Sequence, residues 1–203
     1  MKTNVILIGG GGHCRSCIDV IESQGIYSIL GIIDKTTSLT VLPYPLLGSD
    51  YEINYLFEKN KNFIITLGQI KTPVKRIEIF KNLISLGANL PTIISPHAYI
   101  AKRTQIGIGN MIMHGSIINA SAAIGDNCII NTQALIEHEV EVQSNCHIST
   151  GAKINGAVKI GQGSFIGSGA IIREGLKIGA NSIIGAGVVV FNDVPENTKI
   201  VSN

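Results

Sequence analysis

Hydrophobic positions along this chain follow two different periods. From the N-terminus to about residue 88, buried-strand patterns alternate with amphipathic-helix patterns. "NVILI" predicts a strand, Gly9 to Gly12 follow it, and a helix is predicted from about Arg15 to Gln24, stopped by Gly25. "YSILGIID" predicts a second strand ending on Asp34, and "NFIITLG" a third ending on Gly68. "TPVKRIEIFKNLISLGA" predicts a further helix. Thr72 is placed to cap it, Pro73 suits its first turn and Gly87 its C-terminal stop. Val74, Ile77, Phe80, Leu83 and Ile84 would form its apolar face. Strands alternating with helices imply a small parallel sheet of Rossmann type over residues 1–88.

From residue 100 the period becomes six. Ile or Val stands at every sixth position from Ile100 through Ile106, Ile112, Ile118 and onward to Val190, without an insertion. Neither a helix nor a simple strand repeats this way. A second column, two residues before each aliphatic, is mostly small: Ser116, Ala122, Cys128, Ala134, Cys146, Ala152, Ser164 and Ala170 among others. Gly often follows the aliphatic, as at Gly107, Gly125, Gly161, Gly167, Gly179 and Gly185, where a turn needs permissive backbone. Such a pattern is that of a β-solenoid, in which each hexad makes one short strand and one corner and three hexads make a triangular coil. The run amounts to about five coils, so residues 89–203 would form a prism roughly 24 Å tall at the usual strand spacing.

Composition narrows the function classes. Hydrophobic residues are 45% of the chain but aromatics only 5%, with no Trp, so the core is aliphatic. The formal net charge is +2 with Lys and Arg scattered, which lacks the basic stripe that nucleic acid needs. No apolar run is long enough to span a bilayer. "MKTNVILIGGGGH" runs into glycines rather than a signal-peptidase site, so a cytoplasmic protein is expected. Cys14 and Cys17 form a C-x-x-C without a second pair or paired His, and read as small buried residues on a helix. Cys128 and Cys146 fall in the interior column, and no metal site is expected.

The chain resembles the hexapeptide-repeat acyltransferases with a left-handed β-helix. More narrowly, it is similar to bacterial sugar acetyltransferases that place a small Rossmann-like domain before that β-helix, among them the UDP-4-amino-sugar N-acetyltransferases and sialic acid O-acetyltransferases. The matching segments are "LIGGGGH", "IID", "ITLG", "SPHAYI", "NTQALIEHEV", "CHISTGAKINGAVKIGQGSFIGSGAII" and "IGAGVVV", nearly the full length. The pairing of "EHE" with "HISTGA" is the specific part. By this resemblance the protein is an N-acetyltransferase moving acetyl from acetyl-CoA to the C4 amine of a UDP- or dTDP-linked 4-amino-4,6-dideoxy sugar. It would work as a homotrimer with sites at the subunit interfaces.

Residue roles follow from the resemblance and from the coil. His138 lies two positions after interior Ile136 and should face outward at a corner. An unperturbed imidazole titrates near ~6.5, which suits base chemistry at neutral pH. The resemblance implies His138 as general base and Glu139 as the carboxylate that raises its basicity; a solvated corner is the alternative from the residues alone. Residue 138 plus one coil is Gly156, whose backbone N–H would meet a tetrahedral oxyanion. His147 should point outward near the same cleft, and the resemblance implies that His147, Ser168 and Ala186 contact acetyl-CoA. His97 and His114 are read as structural.

The glycine loop follows a strand and opens a helix, where backbone N–H groups hold phosphate. It lacks the third Gly of the dinucleotide fingerprint, having Cys14 there, so a simple tight turn is the other reading. The resemblance implies that Gly11, Gly12, His13, Asp34, Lys35 and Gly68 bind the nucleotide sugar. Lys35 stands where uridine-binding members carry a second Asp, which leaves the base open between UDP and dTDP. Relatives continue with a Pro-Ala-Lys segment over the CoA adenine, whereas this sequence ends "IVSN". The unbroken register implies that no loop leaves the β-helix to hold the acceptor. Three alternatives are carried: a sialic acid O-acetyltransferase, a γ-carbonic-anhydrase-like zinc enzyme on the same fold, and a sugar-nucleotide-binding protein without catalysis.

Overall fold

The computed structural model describes residues 2–35 and 43–201. The last two residues of "IVSN" lie outside the described residues. The N-terminal part is a four-stranded parallel sheet in the order β3-β2-β1-β4, with β1 (Thr3–Ile8), β2 (Tyr27–Ile33), β3 (Leu46–Gly48) and β4 (Phe63–Ile65). Helix α1 (Gly12–Gln24) starts earlier than expected, directly at the glycine loop, and ends on Gly25 in the left-handed conformation. Strand β3 and helix α2 (Ile53–Lys59) carry no clear period and were not anticipated.

Helix α3 (Val74–Leu86) is present, with the Thr72 hydroxyl accepting a hydrogen bond from the Val74 N–H and Gly87 closing it. Its buried face differs from expectation. Val74 (55% exposed) and Ile84 (44%) face out, while Arg76, Ile79 and Leu83 are buried. The helix is rolled so that a charged side chain points inward, which a search for apolar spacing alone passes over.

Beyond α3 the chain winds into a left-handed parallel β-helix with three faces. The first face stacks Ile93–Ile94, Met111–Ile112, Ile129–Ile130, His147–Ile148, Phe165–Ile166, Ile183–Ile184 and Lys199–Ile200. The second stacks Tyr99–Ile100, Ile117–Ile118, Leu135–Ile136, Lys153–Ile154, Ile171–Ile172 and Val189–Val190. The third stacks Gln105–Ile106, Ala123–Ile124, Glu141–Val142, Lys159–Ile160 and Lys177–Ile178. The aliphatic and small columns fill the interior together, including Cys128 and Cys146; all four cysteines are free and buried. The repeat starts one hexad earlier than expected, at Ile94, and its last coil is shorter. Ile172 pairs with Val190, eighteen residues on, but Ile184 pairs with Ile200, sixteen on.

The glycines after the aliphatic positions serve packing rather than turning. The left-handed residue of each corner comes two positions later, at Gly109, Gly115, Ser121, Asn127, Gln133, Glu139, Asn145, Gly151, Ala157 and so on. At Gly161 a Cβ would stand 2.4 Å from the Ala180 backbone nitrogen, and at Gly125 2.6 Å from that of Ser144. Glycine at these positions lets one coil lie on the next.

The N-terminal domain covers the first face. Cys14, Cys17 and Ile18 pack with Ile93, Met111 and Met113 in one buried cluster. No helix among the described residues is long and apolar enough to cross a membrane. The two kinds of glycine should differ in stability measurements. Gly161→Ala, which forces coils apart, should cost about 3 kcal/mol, and Gly151→Ala, where a left-handed residue meets open space, about 1 kcal/mol. Equal midpoints for the two variants in denaturant would contradict this account.

Candidate active site

Two groups of expected site residues lie on opposite sides of the prism. The first is at the carboxyl ends of β1, β2 and β4, where the N-terminal sheet meets the first face. Gly9 has φ +103°, and a Cβ there would stand 2.8 Å from the Leu67 nitrogen, so this glycine serves the strand crossing. At Gly11 and Gly12 an added Cβ would meet nothing within 4 Å, which leaves the loop open at the N-terminus of α1. No side chain caps that helix; the Cys14 N–H is taken by the Gly11 carbonyl, and the exposed Gly11 and Gly12 leave the helix terminus open to an anion. The Asp34 carboxylate accepts a 2.6 Å hydrogen bond from the Gly10 N–H, tying the end of β2 to the loop. Lys35 is exposed beside it. Gly68 backs onto His13, whose Cβ lies 3.4 Å from where a Cβ at Gly68 would be.

His147 points away from the prism interior as expected, but it is not open to solvent. The N-terminal domain covers it to 5% exposure. Its Nδ1 donates to the Gln69 carbonyl at 2.5 Å, and its Nε2 lies 3.1 Å from the Asn131 amide. That pairing makes Nε2 the lone-pair nitrogen. The His13 and His147 rings are 6.3 Å apart, and Phe165 meets His147 edge-on at 5.2 Å. Burial first, then the nearby Arg76 charge, lowers the pKa of His13 to about 3. Burial likewise lowers His147 to about 4, with Arg76 adding to it and the bond to Gln69 opposing.

Arg76, Gln69 and Asn131 went unnoticed in the sequence. The Arg76 guanidinium is 1% exposed and donates to the carbonyls of Ile65, Leu67 and Asn127. Gln69 donates to the Asn145 carbonyl at 2.9 Å. Arg76 has the helical spacing of Ile79 and Leu83, which is the one signal that would have revealed its burial. For Gln69 no such signal exists, because its partner is 76 residues away. His114 also joins the domains, bridging Ser95 Oγ at 2.6 Å and Asp19 of α1 at 2.8 Å.

The second group stands on the edge between the second and third faces. His138 Nδ1 lies 3.2 Å from Glu139 Oε2, and both side chains are largely exposed. Gly156, one coil on, lies beneath the ring: a Cβ there would be 2.6 Å from His138 Cε1. Glycine at 156 therefore lets the imidazole lie across the next coil. Ser168 and Ala186 occupy a different edge, between the first and second faces, where Ser168 Oγ lies 3.0 Å from Ser149 Oγ. The edge of His138 is the one opposite the first face, which the N-terminal domain covers. Within one chain, His138 is on the far side of the prism from the glycine loop. Among the described residues no group of three or more His, Cys, Asp or Glu is placed to hold a metal.

Residues 4–83 match the PglD N-terminal domain family, and residues 157–192 match the bacterial transferase hexapeptide family of six repeats. Among solved structures, the chain is similar to the perosamine N-acetyltransferase of Caulobacter crescentus in complex with CoA and GDP-perosamine. Identity is 30% over 98% of this chain and 93% of that one, with a TM-score of 0.93. The acetyltransferase domain of PglB from Neisseria gonorrhoeae, solved with acetyl coenzyme A, is 28% identical over 100% of this chain and 98% of its own, TM-score 0.93. WeeI from Acinetobacter baumannii, at 23% identity and TM-score 0.85 over 100% of this chain and 98% of its own, shares the fold. Comparison with curated protein sequences gives no significant match.

The two buried imidazoles set a dependence of stability on pH. Both are neutral in the fold, whereas in the unfolded chain they titrate near pH ~6.5. Acidification protonates the unfolded chain first, so the stability they allow is complete above that pH and falls as pH drops from about 6.5 toward 4. His147 alone accounts for about 3 kcal/mol across that window. Denaturant titrations at pH 7 and pH 4.5 should show the loss, and His147→Gln should make it shallower. An identical slope in the variant would remove His147 from the explanation.

Proposed function

Because the chain belongs to the acetyl-CoA-dependent, hexapeptide-repeat sugar N-acetyltransferases that carry a PglD-type N-terminal domain, we propose that it acetylates the C4 amine of a nucleotide-linked 4-amino-4,6-dideoxy sugar. The observation that carries the reading is the exposed His138, hydrogen-bonded to Glu139 and seated over Gly156. With Nδ1–H directed to the Glu139 carboxylate, Nε2 keeps its lone pair. Nε2 takes the proton from the sugar amine as the amine attacks the acetyl carbonyl carbon, and Glu139 stabilises the imidazolium that results. The Gly156 N–H, which donates to no carbonyl among the described residues, offers a hydrogen bond to the tetrahedral oxyanion. Collapse of that intermediate breaks the carbon–sulfur bond, and the sulfur takes the proton from the His138 imidazolium and leaves as the CoA thiol. No acyl-enzyme is required.

His13 Nε2 is buried without a partner among the described residues, so it is available to a nucleotide sugar bound along Gly11, Gly12, Asp34, Lys35 and Gly68. The base is taken to be uracil or thymine. The Caulobacter enzyme is solved with GDP-perosamine, so guanine belongs in the test. His147, Ser168 and Ala186 are assigned to acetyl-CoA, His147 through Nε2 once Asn131 yields it. Two of the solved forms of the Caulobacter enzyme are substituted at a single histidine, to Asn and to Ala, a pattern in keeping with a histidine of catalytic interest.

The opposite placement of loop and base supports an active site shared between copies. The uncovered second face presents Tyr99, Ile117, Leu135, Ile171 and Val189 outward. His138 is on one of its edges and Ser168 and Ala186 on the other. A contact made through this face brings His138 of one copy to the glycine loop and CoA groups of the next, and three copies close the ring. The division into a nucleotide-sugar domain, 1–88, and a β-helix acyltransferase domain, 89–203, follows the same reading.

Mass spectrometry of acetyl transfer tests it, with UDP-, dTDP- and GDP-linked 4-amino sugars and free sialic acid offered in parallel. One nucleotide amino sugar should be acetylated, His138→Ala should lower kcat by about 10²–10⁴-fold, and Glu139→Gln by less. Sedimentation should give three times the 21.6 kDa chain mass. Acetylation of sialic acid alone, or full activity in His138→Ala, would overturn the assignment.

A further inference from the structure

Arg173 stands on the same edge as His138, further along the prism. It holds the first position of its corner, as Glu137 does two coils earlier, since the second-face strands Leu135–Ile136, Lys153–Ile154 and Ile171–Ile172 stack in register. Its side chain is exposed, and no hydrogen bond or ion pair occupies the guanidinium among the described residues, the adjacent Glu174 included. Cations are scarce here. Beyond His138, the facing edge reads Ser149 to Ala152, Gly167 to Ala170 and Gly185 to Val188, without a charged side chain. On the His138 edge itself, Arg173 is the single cation beyond His138 among the described residues, and Lys153 is the one on the face between.

Distance separates these two. A coenzyme A thioester placed at His138 carries its diphosphate at the far end of the pantetheine arm, about 16 Å away when extended, by ordinary bond lengths, and its 3′-phosphate on the ribose beyond. Lys153 lies about one coil from His138, roughly 5 Å along the edge, so the phosphates pass beyond it. Arg173 lies two coils on, roughly 10 Å, and its side chain extends about 6 Å further. The two lengths agree. The guanidinium also has the fork geometry that suits a phosphate, which an ammonium lacks. Resting on the reading of the site as an acetyl-CoA site, we propose that Arg173 binds a phosphate of coenzyme A, either the diphosphate or the 3′-phosphate, and so sets affinity for the acyl donor without taking part in chemistry.

Calorimetric titration of CoA and of dephospho-CoA into the intact protein tests this independently of any sugar acceptor. Arg173→Ala should weaken CoA binding about tenfold, as expected for loss of a charge-assisted contact. Arg173→Lys should restore part of it, and the variant's affinity should depend less on salt. In turnover, KM for acetyl-CoA should rise with kcat and the sugar KM little changed. If Arg173→Ala weakens CoA but not dephospho-CoA, the contact is to the 3′-phosphate; if it weakens both, to the diphosphate. Unchanged CoA affinity in Arg173→Ala would refute the assignment and leave the catalytic reading standing. A wild-type protein that binds no CoA would sink both.

Discussion

A guanidinium at 1% exposure is costly to keep charged, and Arg76 is held there by carbonyl oxygens rather than by a carboxylate. Burial lowers its pKa only to about 10, so it remains cationic at neutral pH. The carbonyls it binds are those of Ile65 and Leu67, at the end of β4, and of Asn127, on the prism edge. One side chain thus ties α3, the glycine-loop end of the sheet and the β-helix. Gln69 repeats the tie one coil on, at Asn145, and its own carbonyl receives the His147 imidazole. These bonds join backbone to backbone through buried side chains, so the glycine loop is held in one place on the first face. Arg76 also acts electrostatically, since its charge helps keep His13 and His147 neutral.

That fixed docking divides the histidines into two chemical kinds. His13 and His147 are buried and neutral, His147 bonded to Gln69 and Asn131 and His13 with its Nε2 unpartnered among the described residues, which suits holding a ligand in place. His138 is exposed, with a carboxylate on Nδ1 and its other nitrogen free, which suits accepting a proton. A triangular prism cannot bring its covered face and its opposite edge together. The separation is therefore a property of the architecture rather than of a particular rotamer.

Much of the β-helix is legible because its rule is local and repetitive. An interior position needs an aliphatic and a corner needs a small residue, so one column of Ile and Val implies the whole stack. The same rule, carried one hexad back, reaches Ile94. It fails at the far end, where the last coil sheds two residues between Val190 and Val194 and the spacing no longer reports the pairing. His138 and Glu139 were legible as titratable groups at an outward corner of an aliphatic run. The domain junction was not. Its bonds run from side chains to carbonyls many residues distant, and a carbonyl is present at every position, so the sequence carries no mark of which one is used. His147 shows the consequence: its outward direction followed from the register, but its burial depended on a domain whose docking the register does not encode.

Glu139 illustrates how the scaffold and the chemistry are superimposed. Its φ of +60° is imposed by the coil, for the third residue of each corner is left-handed, and Gly or Asn takes most of those positions. A Glu there carries a modest conformational cost, on the order of 1 kcal/mol. Ser121, Gln133 and Ala157 accept the same conformation, so the backbone tolerates Glu without explaining it. What distinguishes Glu139 is the hydrogen bond to His138 Nδ1, which neither Gly nor Ala in its place would supply. The left-handed corner turns the carboxylate back toward the preceding residue, and the glycine at 156 clears the space into which the imidazole lies. A periodic backbone chosen for stacking thereby delivers an oriented imidazole, with the orientation supplied by two departures from the repeat's own preferences: a carboxylate at the left-handed position and no Cβ one coil below the ring.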